Sequence, residues 1–158
     1  MEHFSKNIMH STFENAINNI EKGGGPFACI ILDSDGFTIG IGENQVTIDN
    51  DPTAHAEVVA IRNACKNIKN FSLSNCTLFT SCEPCPMCLS AIYWAGIKTV
   101  YYGSTRKDAA NAGFADDFIY DDISKRCVDR SISMLQIIDS ESDMVFKKWI
   151  EKQDKVKY

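Results

Sequence analysis

The sequence predicts an α/β fold in three layers, with helices on both faces of one mixed, five-stranded sheet. Three observations carry that prediction: an apolar stripe at helical spacing near the N-terminus, a hairpin after it, and a strand–helix–strand alternation mid-chain. Ile8, Met9, Thr12, Phe13, Ala16, Ile17 and Ile20 recur at steps of one, three and four, which is one face of an amphipathic helix. Gly23, Gly24, Gly25 and Pro26 stop it. Residues 27–32 read as a buried strand, Asp33-Ser34-Asp35-Gly36 as a turn, and 37–42 as the partner strand. A polar loop over 43–53 leads to a helix over 54–68 with Val58, Ile61, Cys65 and Ile68 on one face. Strand 77–80, helix 85–95 and strand 99–102 form a βαβ unit, so the two strands are expected to lie parallel. Residues 115–133 are polar and irregular. The fifth strand is expected at 134–138. Ser140 then stands where it could cap a last helix with Val145, Phe146, Trp149 and Ile150 on its inner face.

Bulk properties narrow the function classes. The chain has 158 residues, 44% of them apolar, enough to bury one core. No repeat, low-complexity block or linker interrupts it, so residues 1–158 read as a single domain. The net charge of −5 gives no electrostatic reason to expect nucleic-acid binding. No apolar run approaches the roughly 18 residues of a membrane span, and the N-terminus is too polar for a signal peptide. The seven cysteines are an odd number, with three packed as Cys82, Cys85 and Cys88. That pattern predicts a reduced, cytoplasmic protein with a metal or catalytic site, not a disulfide framework.

Two segments carry chemistry: His55-Ala56-Glu57 and Pro84-Cys85-Pro86-Met87-Cys88. Cys85 and Cys88 are three apart in a first helical turn, so both thiols lie on one face, and the free N–H groups there favour thiolates. His55 supplies a third ligand from the other helix. Three protein ligands leave the fourth tetrahedral position of Zn2+ to water, the mark of a catalytic site. Glu57 is the carboxylate that can carry protons from the water to a ring nitrogen and a departing amine. Alone, Cys-x-x-Cys is often structural or redox-active, and His-x-Glu is noise. Together, about 25 residues apart with a strand between, they match the known signature of zinc deaminases.

The stretches DPTAHAEVVAIRNACK, LFTSCEPCPMCLSAIYWAGIKTVYYG and AGFADDFIY, with the terminal Tyr158, resemble bacterial guanine deaminases of the cytidine deaminase superfamily. The zinc motif indicates only the superfamily; Tyr93-Trp94, Ala112-Gly113-Phe114 and Tyr158 narrow it to the guanine branch. The resemblance implies a cytidine-deaminase-like fold, zinc on His55, Cys85 and Cys88, and Glu57 as proton shuttle. It implies that Asn44 and Asp116 hydrogen-bond the base, Phe27 and Trp94 wall it, the His55 ring stacks on it, and the Ala56 N–H contacts it. It further implies a homodimer whose C-terminal segment, about 140–158, crosses over so that Tyr158 caps the neighbour's site. The expected reaction converts guanine, a purine base, to xanthine and ammonia in purine breakdown.

Other readings stay open at this stage. Asn44 suits a turn, Trp94 a core, and Asp116 or Asp117 a loop or helix cap. Ala115 stands where a second acidic residue is expected, which keeps Asp117 as the fallback for Asp116. A tRNA adenosine deaminase shares the zinc core, and Lys147, Lys148, Lys152, Lys155 and Lys157 give the tail a basic character. A guanosine or cytosine deaminase is a further alternative. A purely structural zinc module would have no use for Glu57.

Overall fold

The computed structural model describes residues 2–139 and 141–157. Helix α1 (Glu2–Glu21) leads into a hairpin of β1 (Ala28–Leu32) and β2 (Thr38–Glu43). A single turn, α2 (Val46–Asp49), precedes α3 (Ala56–Ile68), β3 (Thr77–Cys82), α4 (Pro86–Trp94) and β4 (Thr99–Ser104). The sheet runs β2-β1-β3-β4. Strand β1 is antiparallel to both β2 and β3, whereas β3 and β4 are parallel, as the strand–helix–strand pattern requires.

The sheet is mixed, but it has four strands among the described residues and not the expected five. Residues 134–138 form no strand, and Leu135, Ile137 and Ile138 are almost fully exposed. Their apolar composition suits a strand, but no ladder supplies partners for their backbone, and a strand exists only through its pairing.

Side-chain alternation along β1 splits the core in two. Cys29 and Ile31 pack with Ala56, Ala60, Ala64 and Ile92 of α3 and α4. Ile30 and Leu32 face the other way, joining Phe79 beneath Ile8 and Met9 of α1. All five residues of β1 are buried. Helices therefore cover both faces of the sheet.

The inner face of α3 differs from the expected one. Ala56, Ala60 and Ala64 are fully buried, while Ile61 and Cys65 are only partly so and Ile68 is exposed. The reason lies in β2. A Cβ on Gly42 would fall 2.1 Å from the Ala56 carbonyl oxygen, and one on Gly40 would fall 2.5 Å from that of Ala60. Glycine on the strand and alanine on the helix let two backbones approach, which larger residues would prevent. Asn63 and Asn67 on the same helix donate to the Ile41 and Ile39 carbonyls of β2, both at 2.8 Å.

Met1–Asp117 and Phe118–Tyr158 form two compact units. The first also contains α5 (Arg106–Asn111), which opens on a capping box between Thr105 and Asp108. Helix α6 (Asp117–Ser124) lies in the stretch expected to be irregular. In the second unit Asp122 accepts from the Ser131 N–H at 3.0 Å and pairs with Lys125 at 3.1 Å. Helix α7 (Ser142–Glu151) is where the sequence predicts a last helix, but Val145, Phe146 and Ile150 are exposed instead of facing inward. Ser140, the expected cap, lies outside the described residues. No described helix is long and apolar enough to cross a membrane.

Replacing Gly42 by Ala puts a methyl group where the backbone of Ala56 and Ala60 already lies. The variant should unfold at lower denaturant concentration, with a stability loss of at least about 1–3 kcal/mol. An unchanged unfolding midpoint would show that α3 does not depend on this close approach.

Candidate active site

His55 is the N-cap of α3 and Cys85 the N-cap of α4, both with extended backbone. Their carbonyls open the helices, accepting from Val59 and Leu89 at 2.9 and 2.8 Å. Neither side chain caps its own helix, so both project to the common site. Pro86 at the start of α4 fits because that position needs no N–H donor. Cys88, one turn on, is fully buried.

His55 Nδ1 lies 3.5 Å from the Cys85 Sγ and 3.5 Å from the Cys88 Sγ. All three ligand atoms fall within 4.8 Å of one another. Zinc bonds of about 2.0 Å to nitrogen and 2.3 Å to sulfur at a tetrahedral angle separate those atoms by roughly 3.5 Å, so the group fits zinc.

The electrostatics suit a cation. Hydrogen bonding from Cys88 lowers the Cys85 thiol to about 4, helped by His55 and opposed by burial. The same bond to Cys85, together with burial, drives Cys88 far upward. The two thiols thus oppose each other's ionisation, and a cation between them would favour both thiolates. The hydrogen bond to Cys85 also raises His55. Cys82 is not a member of the group: its thiol donates to the Thr105 carbonyl at 3.6 Å, and burial pushes it up to about 11.

Glu57 is buried beside the ligands, and desolvation raises its carboxyl above the usual range. The Thr80 hydroxyl donates to its Oε1 at 2.9 Å. No sequence motif marks Thr80; its only signal is an inward position on β3, the strand that leads to the cysteines.

The remaining expected residues divide. Asn44 is buried, and its N–H donates to the Phe27 carbonyl at 3.0 Å. Val46 N–H approaches its Oδ1 at 3.4 Å, a long contact for a turn-forming asparagine. Phe27 meets Phe114 edge-on, with ring centroids 5.0 Å apart. Phe114 belongs to the family-like AGF segment but carried no assigned role. Ala56 is fully buried in the first turn of α3. Asp116 is half-buried, raised by desolvation and by the negative Cys85. Asp117 instead is exposed and pairs with Arg106 at 3.7 Å. Trp94 stands at the opposite end of α4 from Cys85, about 13 Å along the axis. It is 73% exposed, so it is not a core residue. Tyr158 lies outside the described residues. A cavity of about 360 Å³ between α1 and α5 shares Phe27 with the site and also touches Cys82 and Phe114.

Residues 3–104 match the family described as the cytidine and deoxycytidylate deaminase zinc-binding region. Guanine deaminase of Bacillus subtilis is 50% identical over 135 residues, covering 85% of this chain and 86% of that protein. The X-ray structure of guanine deaminase from Bacillus subtilis superposes with a TM-score of 0.93 at 45% identity, covering 97% of this chain and 98% of that one. A tRNA-specific adenosine deaminase of Haemophilus influenzae is 36% identical over 119 residues, covering 73% of this chain and 69% of that protein. The paired helix starts that bring His55, Cys85 and Cys88 together are thus a shared inheritance: the chain belongs to the cytidine deaminase superfamily, on the branch of the bacterial guanine deaminases.

Proposed function

We propose that this chain catalyses the hydrolytic deamination of guanine to xanthine and ammonia, with zinc as its cofactor. One observation carries the reading. In a chain half-identical to a guanine deaminase, a buried carboxyl that is not a ligand, Glu57, adjoins a three-residue metal group.

A zinc ion held by His55, Cys85 and Cys88 supplies the Lewis acidity that makes water nucleophilic near neutral pH. Glu57 takes the proton released as the water oxygen bonds to C2. It passes that proton to a ring nitrogen, then takes the second proton from the new C2 hydroxyl as the C2=O bond forms and gives it to the amine, which leaves as ammonia when the C2–N bond breaks. Burial raises the Glu57 carboxyl, which suits a group that must hold a proton between steps. Thr80 keeps its Oε1 in place. Asn44 donates and accepts at the edge of the base, and Asp116 complements its N–H donors. Phe27, backed by Phe114, and the His55 ring border the plane of the base. The first turn of α3 offers the Ala56 N–H, a position without an intrahelical acceptor.

Likeness to a tRNA-specific adenosine deaminase supports a second substrate class, and the tail lysines would suit a phosphate backbone. The net charge of −5 and the lower identity favour the free base.

The site is completed by a second subunit in this reading. Strand β4 is the sheet edge, with Tyr101 and Tyr102 about half exposed, and α7 presents Val145, Phe146 and Ile150. Such surfaces need cover. Exchange of the segment from about 140 to 158 within a homodimer would cover them and bring Tyr158 over the neighbour's pocket. Trp94, exposed at the end of α4, is kept as an apolar wall of the base. Zinc binding by Cys85 and Cys88 requires reduced sulfurs, which accords with a cytoplasmic setting.

Glu57→Gln keeps the shape of the site but cannot accept a proton. It should retain zinc and lose about 10²–10⁴ in guanine turnover. Ammonia release by the unaltered chain should be fastest with guanine among guanine, guanosine, adenine, cytosine and a tRNA anticodon stem. Turnover of adenosine in RNA without turnover of guanine would contradict the substrate.

Removing Lys157 and Tyr158 should leave a folded, zinc-loaded dimer with much-reduced turnover. Refolded together with the Glu57→Gln chain, it should regain activity in mixed dimers, where an intact tail meets an intact Glu57. No recovery in verified mixed dimers would show that each tail serves its own subunit.

A further inference from the structure

Asn19 is fully buried near the end of α1. Its side-chain amide donates to the carbonyl oxygens of Gly25 and Asn44, both at 2.9 Å. Its backbone carbonyl accepts the N–H of Lys22 at 3.1 Å and of Gly24 at 3.0 Å. Among the described residues its Oδ1 has no partner. Both hydrogen bonds of the amide go to backbone carbonyls next to residues assigned to the pocket, Asn44 itself and the loop before Phe27. What the amide supplies is geometry.

That geometry bears on Asn44. Its backbone is held on both sides: its N–H donates to the Phe27 carbonyl at 3.0 Å, and its carbonyl accepts from Asn19. The Phe27 N–H donates at 2.8 Å to the Gly25 carbonyl, the same oxygen that Asn19 holds. One side chain thus links the end of α1, the glycine loop carrying Phe27, and Asn44. The fit is close. A Cβ on Gly24 would lie 2.3 Å from Asn19 Nδ2 and 2.5 Å from the Asn44 carbonyl oxygen. A Cβ on Gly25 would lie 3.0 Å from both Cγ and Oδ1 of Asn44. The Gly25 backbone is therefore a wall against which the Asn44 amide rests.

We propose that Asn19 is a positioning residue for base recognition: its amide, with the glycine loop it anchors, fixes the orientation in which Asn44 and Phe27 meet the substrate. The inference rests on the assignment of Asn44 as the residue that hydrogen-bonds the base. It separates two jobs on α1, whose Ile8 and Met9 cover the sheet while Asn19 serves the pocket. Asn19 touches neither the metal group nor the reacting atoms, so its loss should disturb binding more than chemistry.

The test is steady-state kinetics with guanine on the zinc-loaded full chain. Asn19→Leu should lower kcat/KM about tenfold or more, chiefly through KM, with zinc content retained and kcat within about threefold. Gly25→Ala leaves Asn19 in place but pushes the Asn44 amide directly, and it should raise KM in the same way. A double-mutant cycle distinguishes positioning from plain stability. In an Asn44→Ala background, Asn19→Leu should add less than about twofold to KM, because the group it positions is gone. The same added factor in both backgrounds would overturn the inference. So would an unchanged KM in Asn19→Leu and Gly25→Ala when Asn44→Ala raises it. If Asn19→Leu does not fold, Gly25→Ala takes its place in the cycle. An Asn44→Ala chain with unchanged KM would instead overturn the base-recognition assignment itself.

Discussion

The site depends on how closely α3 can sit on β2. Gly40 and Gly42 leave the strand bare, and the Ala56, Ala60 and Ala64 face of the helix comes down to backbone contact. That approach sets the height of the first turn of α3 above the sheet, and His55 and Glu57 belong to that turn. The other half of the site comes from β3, which delivers Thr80 to Glu57 and then passes through Cys82 to the Cys85 cap of α4. Two helix starts meet over one end of the sheet, so the ligand set needs no long loop to assemble it. Rigid elements hold a catalytic geometry better than loops do.

The two helix starts also explain why the residues carry these charges. Free N–H groups at a helix N-terminus favour anions, and Cys85, Cys88 and Glu57 all lie in such first turns. The three acids are nonetheless too close to ionise together. Cys85 is driven down to about 4 while Cys88 and Glu57 are driven up, the latter by burial. A divalent cation held there would take both thiolates, and in the proposed reaction Glu57 would then be the group that exchanges a proton. The same crowding reaches Asp116, raised in part by the Cys85 charge.

Much of this was legible in the sequence because local rules determine it. Cys85 and Cys88 share a helical turn by spacing alone. The hairpin was readable from Asp33 to Gly36, and the parallel β3–β4 pair followed from the helix between them. The inner face of α3 was not legible, since alanine carries little hydrophobic signal and its value depends on two glycines in another strand. Residues 134–138 look like a strand by composition, but pairing is a tertiary fact and the structure provides none. The capping box at Thr105 and Asp108 was present in the sequence and marks α5, a helix too short and polar for periodicity to reveal. Thr80 and Asn19 belong to no motif; they matter only because folding places them against Glu57 and Asn44. Asp116 and Asp117 are adjacent in sequence but differ in surroundings: the charge of Cys85 raises the first, and the second pairs with Arg106.

The central claim is that this is a catalytic zinc centre with three protein ligands, and the most direct test is X-ray absorption at the zinc edge of the purified full chain. The account predicts two sulfur scatterers at about 2.3 Å and two nitrogen or oxygen scatterers at about 2.0–2.1 Å, the second light atom coming from solvent. A shell of three or four sulfurs, with Cys82 drawn from the Thr105 carbonyl into the metal's coordination sphere, would contradict it. Such a closed site would be structural, and the role given to Glu57 would fall with it.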